Sequence, residues 1–326
     1  MKIFLVLLQV LIWFNVCIAG AQYKTTVKIT DLNQPSLESA ASRNVSTLLT
    51  EINLAQSEKR GIKFEQLSMT PDAQVVLSVL WEVCPFRSLE TDIVEKGLST
   101  TGGQFQVRNI AVVMTPLDGE KFDSDKRQEV VVNFNTSGVI TNICFTINKL
   151  QYARLMRSSN PVDLYNRQIL LDFVENFRTA YNRKDIDYLN QVYSDDALII
   201  TGRVLEKDGK TTYSYTSQSK KEYLDKMKGI FANNERINIE FEDIKVSKHA
   251  KKDIYGIVLK QYWNTYKSLK EKGYSDVGYL FLMVDLQNKD KPMIHVRTWQ
   301  PNDPSLEEDP GKIMNLSDFT NVSDRL

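Results

Sequence analysis

The chain has 326 residues, of which 42% are hydrophobic, 10% aromatic and 25% charged. This composition is typical of folded proteins and excludes a chain that is disordered throughout, and the length is sufficient for two domains. Forty-one basic residues balance forty-one acidic ones, so no net field would draw the protein to nucleic acid or to an anionic membrane surface.

The first residues have the pattern of a cleaved signal peptide. Lys2 supplies a positive charge, residues 3–18 form an apolar core, and Ala-Gly-Ala at residues 19–21 is a small-x-small cleavage site. The core is shorter than the about 20 apolar residues that a membrane-spanning helix needs. We therefore predict that residues 1–21 are removed, and that the mature chain, without a transmembrane segment, is exported to the periplasm or cell envelope.

Two cysteines, Cys84 and Cys144, remain after this leader. In an exported protein they could form a disulfide, which would close a loop of roughly 60 residues and contribute about 4 kcal/mol to stability. Both lie among apolar residues, so two buried thiols are the alternative, and the sequence leaves the choice open. Two isolated cysteines do not make a metal site, and the sequence predicts neither a metal nor a cofactor.

The N-terminal half reads as helices followed by strands. After a polar arm at residues 22–35, apolar residues recur every three or four positions over residues 36–56, which predicts a helix. Thr70 followed by Pro71 predicts the start of a second helix that runs to about residue 83. Three or four strands follow at residues 86–95, 105–115, 129–135 and 139–147, the last two joined by an Asn-Thr-Ser-Gly turn. This order predicts a smaller α+β domain over residues 36–147.

The C-terminal half repeats the order of helices first and strands afterwards. Residues 148–163 are polar and helix-breaking and are predicted to be a linker. An amphipathic helix follows from residue 164 to 181, Asp185 is placed to cap a second helix, and Ser219 a third. Four long strands are predicted at residues 237–247, 253–266, 274–286 and 292–300. Residues 302–326 lose all periodicity and are predicted to be a flexible acidic tail.

One segment, residues 164–301, carries a family resemblance. It combines the entry helix, Tyr-Asn-Arg-Lys-Asp at residues 181–185, Tyr-Ser-Asp-Asp-Ala-Leu-Ile at 193–199, and a closing set of long strands. In these features it resembles the nuclear transport factor 2-like superfamily, also called ketosteroid-isomerase-like or SnoaL-like. Residues 196–202 and 295–301 are also similar to a group of exported two-domain bacterial proteins of unassigned function.

The resemblance implies an α+β fold in which helices pack on a curled antiparallel sheet. The expected shape is a cystatin-like cone with a pocket at its wide end. The resemblance implies little about chemistry, because the same cone serves enzymes, binding modules and dimerisation domains.

The last predicted strand carries the candidate binding residues. In a regular strand His295, Arg297 and Trp299 share one face. Such a face is typical either of a wall that contacts a ligand or of a contact surface, for example between two copies of the chain. The strand over residues 253–266 would add Tyr262 or Trp263, whichever points inward.

Catalysis would require a general base, and the candidates are few. His295 could act with Asp195 or Asp196 if an apolar pocket adjusted the pKa of the base. The two aspartates also suit a simple turn from helix to strand, and the common hydrolase and metalloprotease motifs are absent from the sequence.

Two hypotheses follow from the sequence. The first is a non-enzymatic binding or assembly module of the bacterial cell envelope, whose partner is an envelope protein, a glycan or a small ligand, with a homodimer through the sheet face as a further expectation. The second is a small-molecule lyase or isomerase with a His/Asp site in the cone pocket. The second hypothesis requires that His295 point into a closed, partly apolar pocket.

Overall fold

The computed structural model describes residues 23–83, 85–100, 103–114, 127–147, 164–207, 209–268 and 271–326. Contacts divide the chain into two compact units, Met1–Thr146 (unit 1) and Ile147–Leu326 (unit 2). The fold class is α+β, as the sequence predicts. The signal peptide, the linker and Cys84 lie outside the described residues, so the predictions about them remain predictions. Cys144 is buried in unit 1.

Unit 1 packs two helices on a six-stranded sheet. The helices are α1 (Pro35–Ser57) and α2 (Pro71–Val83). The predicted cap of α2 is confirmed, because Thr70 Oγ1 accepts a hydrogen bond from the Ala73 amide at 3.3 Å. The strands are β1 (Thr26–Thr30), β2 (Phe86–Ser88), β3 (Asp92–Ser99), β4 (Phe105–Met114), β5 (Arg127–Phe134) and β6 (Ile140–Phe145). Their order is β1-β3-β4-β5-β6, with β2 paired to β4.

The predicted N-terminal arm is an edge strand instead. β1 pairs in parallel with β3, and Val27 and Ile29 are buried against α1. The amides of these two residues donate to Ser46 Oγ at 2.8 Å and Ser42 Oγ at 2.9 Å. Serine side chains of a helix thus satisfy the free edge of the strand, a tertiary contact that local sequence cannot reveal. The single strand expected over residues 86–95 is likewise divided, into β2 and β3.

Unit 2 contains three principal helices and a second six-stranded sheet. The helices are α3 (Leu164–Asn182), α4 (Ile186–Val192) and α5 (Lys220–Ala232), and the strands are β7 (Tyr193–Lys207), β8 (Lys210–Gln218), β9 (Arg236–Lys248), β10 (Ile254–Tyr266), β11 (Lys272–Asp285) and β12 (Met293–Pro301). The sheet order is β8-β7-β12-β11-β10-β9. The pairs within this sheet are antiparallel except one, because β12 returns beside β7 in the parallel direction.

Side-chain hydrogen bonds of residues 182 and 185 fix the chain where α3 ends and α4 begins. Asp185 caps α4, since its carboxylate accepts from the Tyr188 amide at 2.8 Å, and Ser219 caps α5 in a reciprocal capping box with Glu222. Both predicted caps are confirmed. Asn182 Oδ1 accepts from the Ile239 amide at 2.8 Å and so ties the helix to the edge strand β9.

The two faces of this sheet are covered differently. The inner face packs against α3, α4 and α5 and forms the main core of unit 2, which includes Phe177, Leu280 and Leu282. The outer face forms a smaller cluster that includes Phe281 and Met283. Within the described ranges no helix combines the length and apolarity that are needed to cross a bilayer.

Residues 302–326 pack on the outer face of the sheet, so the prediction of a flexible tail was wrong. This segment forms α6 (Pro304–Glu308), two 3-10 turns and α7 (Thr320–Ser323). Leu316 is buried in the outer cluster, and the Phe319 ring stacks on Phe281 with centroids 5.4 Å apart. The apolar residues of this segment have no helical or strand period, so periodicity gave no sign that they pack.

Candidate ligand-binding cavity

A β-bulge in β12 decides which of its side chains reach the inner face. Val296 pairs with residue 283 of β11, and Ile294 pairs with the next residue, 284. His295 is therefore an extra residue in the strand, and it shifts the alternation of side chains by one position. Ile294 belongs to the inner core, whereas Val296 belongs to the outer cluster.

Arg297 and Trp299 consequently lie on the inner face without His295. The predicted sharing of a face holds for the first two residues and fails for the histidine, because that prediction assumed a regular strand. Arg297 and Trp299 are only 5% and 7% exposed, so they do not form an exposed contact surface. On the other side, Gln300 bonds the C-terminal segment through the amide of Met314, at 2.6 Å.

A cavity of about 510 Å³ lies between α5 and the inner face of the sheet. Its wall is mostly apolar, and its charged side chains comprise four basic groups and one carboxylate. The apolar and aromatic wall residues are Tyr223, Met227, Ile230, Trp263, Tyr274 and Trp299, and the charged ones are Arg203, Lys226, Lys267, Arg297 and Asp276. Gly202 and several threonine, asparagine and glutamine residues complete the wall.

The position of the Trp299 ring depends on a glycine in the neighbouring strand. A Cβ atom at Gly278 would lie 2.8 Å from Trp299 Cζ2, which is closer than van der Waals contact allows. The absence of a side chain at Gly278 therefore lets the indole lie flat across β11.

Three buried tyrosines surround the innermost part of the site. The Tyr181 hydroxyl lies 3.1 Å from the Tyr193 hydroxyl and 2.5 Å from that of Tyr223. Burial raises the pKa of Tyr181 and of Tyr193 well above the ordinary value. Both are therefore neutral phenols at physiological pH.

Arg297 is a buried cation beside these neutral phenols. Its guanidinium carbon lies 4.9 Å from the centroid of the Tyr223 ring, and it hydrogen-bonds to the Tyr181 hydroxyl. Burial disfavours its charged form, whereas the hydrogen bond to Tyr181 favours it. An arginine side chain stays protonated in such a site. Among the described residues no carboxylate forms an ion pair with it, and its Nε and Nη1 atoms have no hydrogen-bond partner.

Trp299 also carries a buried N–H donor without an acceptor among the described residues. Its indole Nε1 is also buried, and no acceptor lies within hydrogen-bonding distance among the residues described. Arg297 and Trp299 are two positions apart on one face, so their side chains are neighbours. Arg297 and Trp299 line the cavity, and together they carry three buried N–H donors without an acceptor among the described residues.

Asp276 is the one carboxylate of the cavity wall. It pairs in register with Trp263 and accepts a hydrogen bond from the Tyr274 hydroxyl. Burial raises the pKa of Asp276, although this hydrogen bond and another from the Val277 amide, at 2.8 Å, oppose the shift. Asp276 cannot be recognised from the sequence, because a lone aspartate in a strand carries no local signal.

The catalytic candidates from the sequence are not brought to this cavity. His295 lies between two carboxylates, with Nδ1 3.9 Å from Asp196 and Nε2 3.6 Å from Asp285. Asp196 also accepts from Ser194 Oγ at 2.9 Å, and Asp195 forms an ion pair with Lys220 at 2.9 Å. None of these residues lines the cavity.

The two aromatic candidates in β10 are divided by the pleat of the strand. Trp263 lines the cavity and meets the Tyr181 ring edge to face at 5.7 Å. Tyr262 points to the other side, where its hydroxyl donates to Glu242 at 3.1 Å. Of the residues selected from the sequence, the structure therefore brings Arg297, Trp299 and Trp263 together.

Several solved structures are similar to part of this chain. Bd1075 from Bdellovibrio bacteriovorus matches with 16% identity and a TM-score of 0.33, over 50% of this chain and 47% of Bd1075. A proposed dehydratase of the NTF2-like family from Streptomyces avermitilis matches with 15% identity and a TM-score of 0.29, over 39% of this chain and 88% of that protein. A protein with a cystatin-like fold from Caulobacter vibrioides matches with 10% identity and a TM-score of 0.32, over 45% of this chain and 96% of that protein.

The matched structures include NTF2-like and cystatin-like proteins. The chain spans less than half the length of Bd1075. No protein-family model matches the chain, and no curated protein matches it at a significant level.

Proposed function

We propose that unit 2 is a binding module for a small molecule, which is held in the cavity between α5 and the inner face of the sheet. One observation carries the proposal: the buried guanidinium of Arg297 has no counter-charge among the described residues. A buried charge that is neither paired nor fully hydrogen-bonded is strongly disfavoured. Such a group is costly in the free protein, so it is expected at a site where a bound ligand supplies the missing counter-charge.

The size and composition of the cavity support the same proposal. Small-molecule sites commonly measure about 300–1,000 Å³ and combine apolar walls with a few polar groups. A volume of about 510 Å³ lies within that range. Its charged groups are few, so they would orient a ligand while the apolar wall provides most of the contact area.

A thermal-shift screen of the full chain tests this proposal. The compounds should include organic acids, amides and neutral aromatic molecules. We expect at least one class to raise the unfolding temperature of the wild type and to lose this effect in Ile230→Trp, which fills the cavity. Arg87→Met, a change at an exposed residue of unit 1, serves as the control and should respond like the wild type. A wild type that responds to no compound, or an Ile230→Trp variant that responds equally, would overturn the proposal.

Export to the cell envelope and a non-enzymatic role are part of the proposal; the first rests on the sequence and the second on the position of His295. The leader pattern supports export, and the separation of His295 from the cavity removes the histidine of the catalytic hypothesis. N-terminal sequencing of protein from the envelope fraction should begin at Gln22. A mature protein that keeps residues 1–21 in the cytoplasmic fraction would contradict export.

Acid–base catalysis is the second candidate function, because Asp276 lies in the cavity with a raised pKa. A carboxylate of this kind can act as a general base. A lyase or isomerase would then use Asp276 rather than His295. Turnover of a bound compound that disappears in Asp276→Asn and persists in His295→Ala would favour this alternative over simple binding.

A further inference from the structure

The donors at Arg297 and Trp299 define the head group that the cavity can accept. We propose that the ligand is an aromatic monocarboxylate whose carboxylate binds Arg297; this rests on the proposed binding function and specifies its ligand class. The guanidinium presents parallel N–H groups in a fixed plane, a geometry that matches the two oxygens of a carboxylate. The indole N–H of Trp299 is a neighbouring third donor.

The distribution of positive charge favours a singly charged head group. Arg297 is the only deeply buried cation among the described wall residues, since Arg203, Lys226 and Lys267 are exposed. Lys226 Nζ also donates to Gln218 Oε1 at 2.7 Å. One buried cation can neutralise one carboxylate, whereas a phosphate dianion would retain uncompensated charge in an apolar site.

The far part of the cavity disfavours a second acidic group. Arg297 pairs with Leu282 of β11, and Asp276 lies six residues earlier on that strand. At the rise of a β-strand these positions are about 20 Å apart along β11. A second carboxylate directed toward Asp276 would meet a like charge, whereas a neutral or hydrogen-bond-donating group would not.

The wall between these two ends is suited to an aromatic body. Trp263 and Trp299 border the cavity, and Met227 and Ile230 of α5 face them. Indole rings stack with aromatic molecules in offset or edge-to-face geometry, and thioether sulfur makes favourable contacts with aromatic rings. The ligand that fits these surfaces is a flat apolar body with one terminal carboxylate.

Calorimetric titration with matched probes tests the head group. The probes are naphthoate, naphthamide as its neutral counterpart of equal size, a naphthalene dicarboxylate and inorganic phosphate. We expect the full chain to bind naphthoate at least about tenfold more tightly than naphthamide, because hydrogen bonds to a charged group are stronger than neutral ones. The dicarboxylate and phosphate should bind more weakly than naphthoate.

Variants of Arg297 connect this preference to the proposed residue. In Arg297→Met the ratio of the two affinities should fall to about one, and Arg297→Lys, which keeps the charge but loses the planar fork, should give an intermediate ratio. His295→Ala lies outside the cavity and should keep the wild-type ratio. Circular dichroism of each variant provides the control for folding.

The remaining outcomes of these titrations distinguish failure of the ligand class from failure of the binding function. Equal affinity for acid and amide in the wild type, tighter binding of phosphate or of the dicarboxylate, or a preference that survives Arg297→Met would overturn the monocarboxylate proposal. Failure of both naphthyl probes would also overturn it. If compounds of another class still stabilise the wild type and not Ile230→Trp, the binding function stands while this ligand class falls.

Discussion

At Arg297 the requirements of ligand binding conflict with those of protein stability. The tyrosine hydroxyls around it are neutral, and two of its N–H groups have no acceptor among the described residues. Replacing a buried charge by an apolar side chain of similar volume is often neutral or stabilising. We therefore expect Arg297→Met to leave the free energy of unfolding of unit 2 unchanged or to raise it by about 1–4 kcal/mol, while the preference for a carboxylate ligand is lost.

Urea denaturation of the ligand-free protein measures this effect. Arg87→Met, the same change at an exposed position of the other unit, is the matched control and should be neutral. A loss of several kcal/mol in Arg297→Met would mean that the cation–π contact with Tyr223 and the bond to Tyr181 already compensate the charge. The N–H donors of Arg297 would then stabilise the fold and would not be reserved for a ligand.

Asp276 gives a pH-dependent prediction at the same scale. Burial raises its folded-state pKa above the ordinary value of 3.8, so the contribution of this group to stability is complete below pH about 4 and is lost as the pH rises through the folded pKa. Asp276→Asn removes the ionisation. The variant should therefore gain unfolding temperature relative to the wild type at neutral pH, and the gain should shrink toward pH about 4.

Asp195→Asn is the control of opposite sign. The hydrogen bond and charge of Lys220 lower the pKa of Asp195, so its contribution is present above the unfolded pKa and is lost as the pH falls. Thermal melts across this range should show the two variants diverging from the wild type in opposite directions at neutral pH. Parallel curves for both variants would contradict the burial of Asp276.

At the scale of elements, the C-terminal segment covers the outer face of the second sheet and excludes water from it. Its residues Leu316 and Phe319 pack on the cluster around Phe281. A chain that ends at Pro301 would expose this apolar face. We expect the truncated protein to unfold at a lower temperature and to associate with itself as concentration rises. Analytical ultracentrifugation of both chains measures this.

Phe319→Ala provides a milder version of the same test. Loss of the stacked pair should cost about 1–2 kcal/mol, since Phe319 is only partly buried. Lys312→Ala in the same segment is exposed and should be neutral. A truncated chain that is monomeric and as stable as the full one would show that the segment adds little to the sheet. The homodimer expected from the sequence was assigned to the face that carries Arg297 and Trp299 and not to this outer face, and it stays a prediction.

The elements also show where sequence reasoning succeeds. Helix starts at Thr70, Asp185 and Ser219 were predictable because a capping side chain bonds to amides two or three residues away. Which side chains of β12 face the inner side of the sheet was not predictable, since the bulge depends on the pairing of β12 with β11. For the same reason Arg297 and Trp299 could be selected from the sequence, but not separated from His295.

At the scale of the whole molecule, two units of helices and sheet follow one another along the chain. The sequence predicts an accessible linker at residues 148–163. Limited proteolysis should therefore cut near residues 158–161 and release a stable C-terminal fragment. Because the C-terminal segment packs on the sheet, this fragment should retain residues 302–326 rather than end at Pro301.

Mass spectrometry of the digestion products identifies the cut sites. A fragment that first loses its C-terminal segment would contradict the packing of Phe319 and Leu316 on the outer face. A single resistant core with no cut near residue 160 would indicate that the two units behave as one. The isolated fragment, if stable, should bind the same compounds as the full chain, because every residue of the cavity wall belongs to unit 2.

The single extra residue in β12 has a consequence for how such a site can diverge. Residues 294 and 296 already oppose adjacent residues of β11, so deleting His295 would leave a regular ladder in which Arg297 and Trp299 still face the cavity. Such a deletion should preserve ligand binding. Inserting one residue after Val296, without a further bulge, would instead exchange the two faces of the second half of the strand, and Thr298 would replace Arg297 and Trp299 beside the cavity. Among proteins of this architecture, a one-residue change in the length of this strand should therefore either leave the ligand chemistry intact or change it completely, according to whether a bulge takes up the difference.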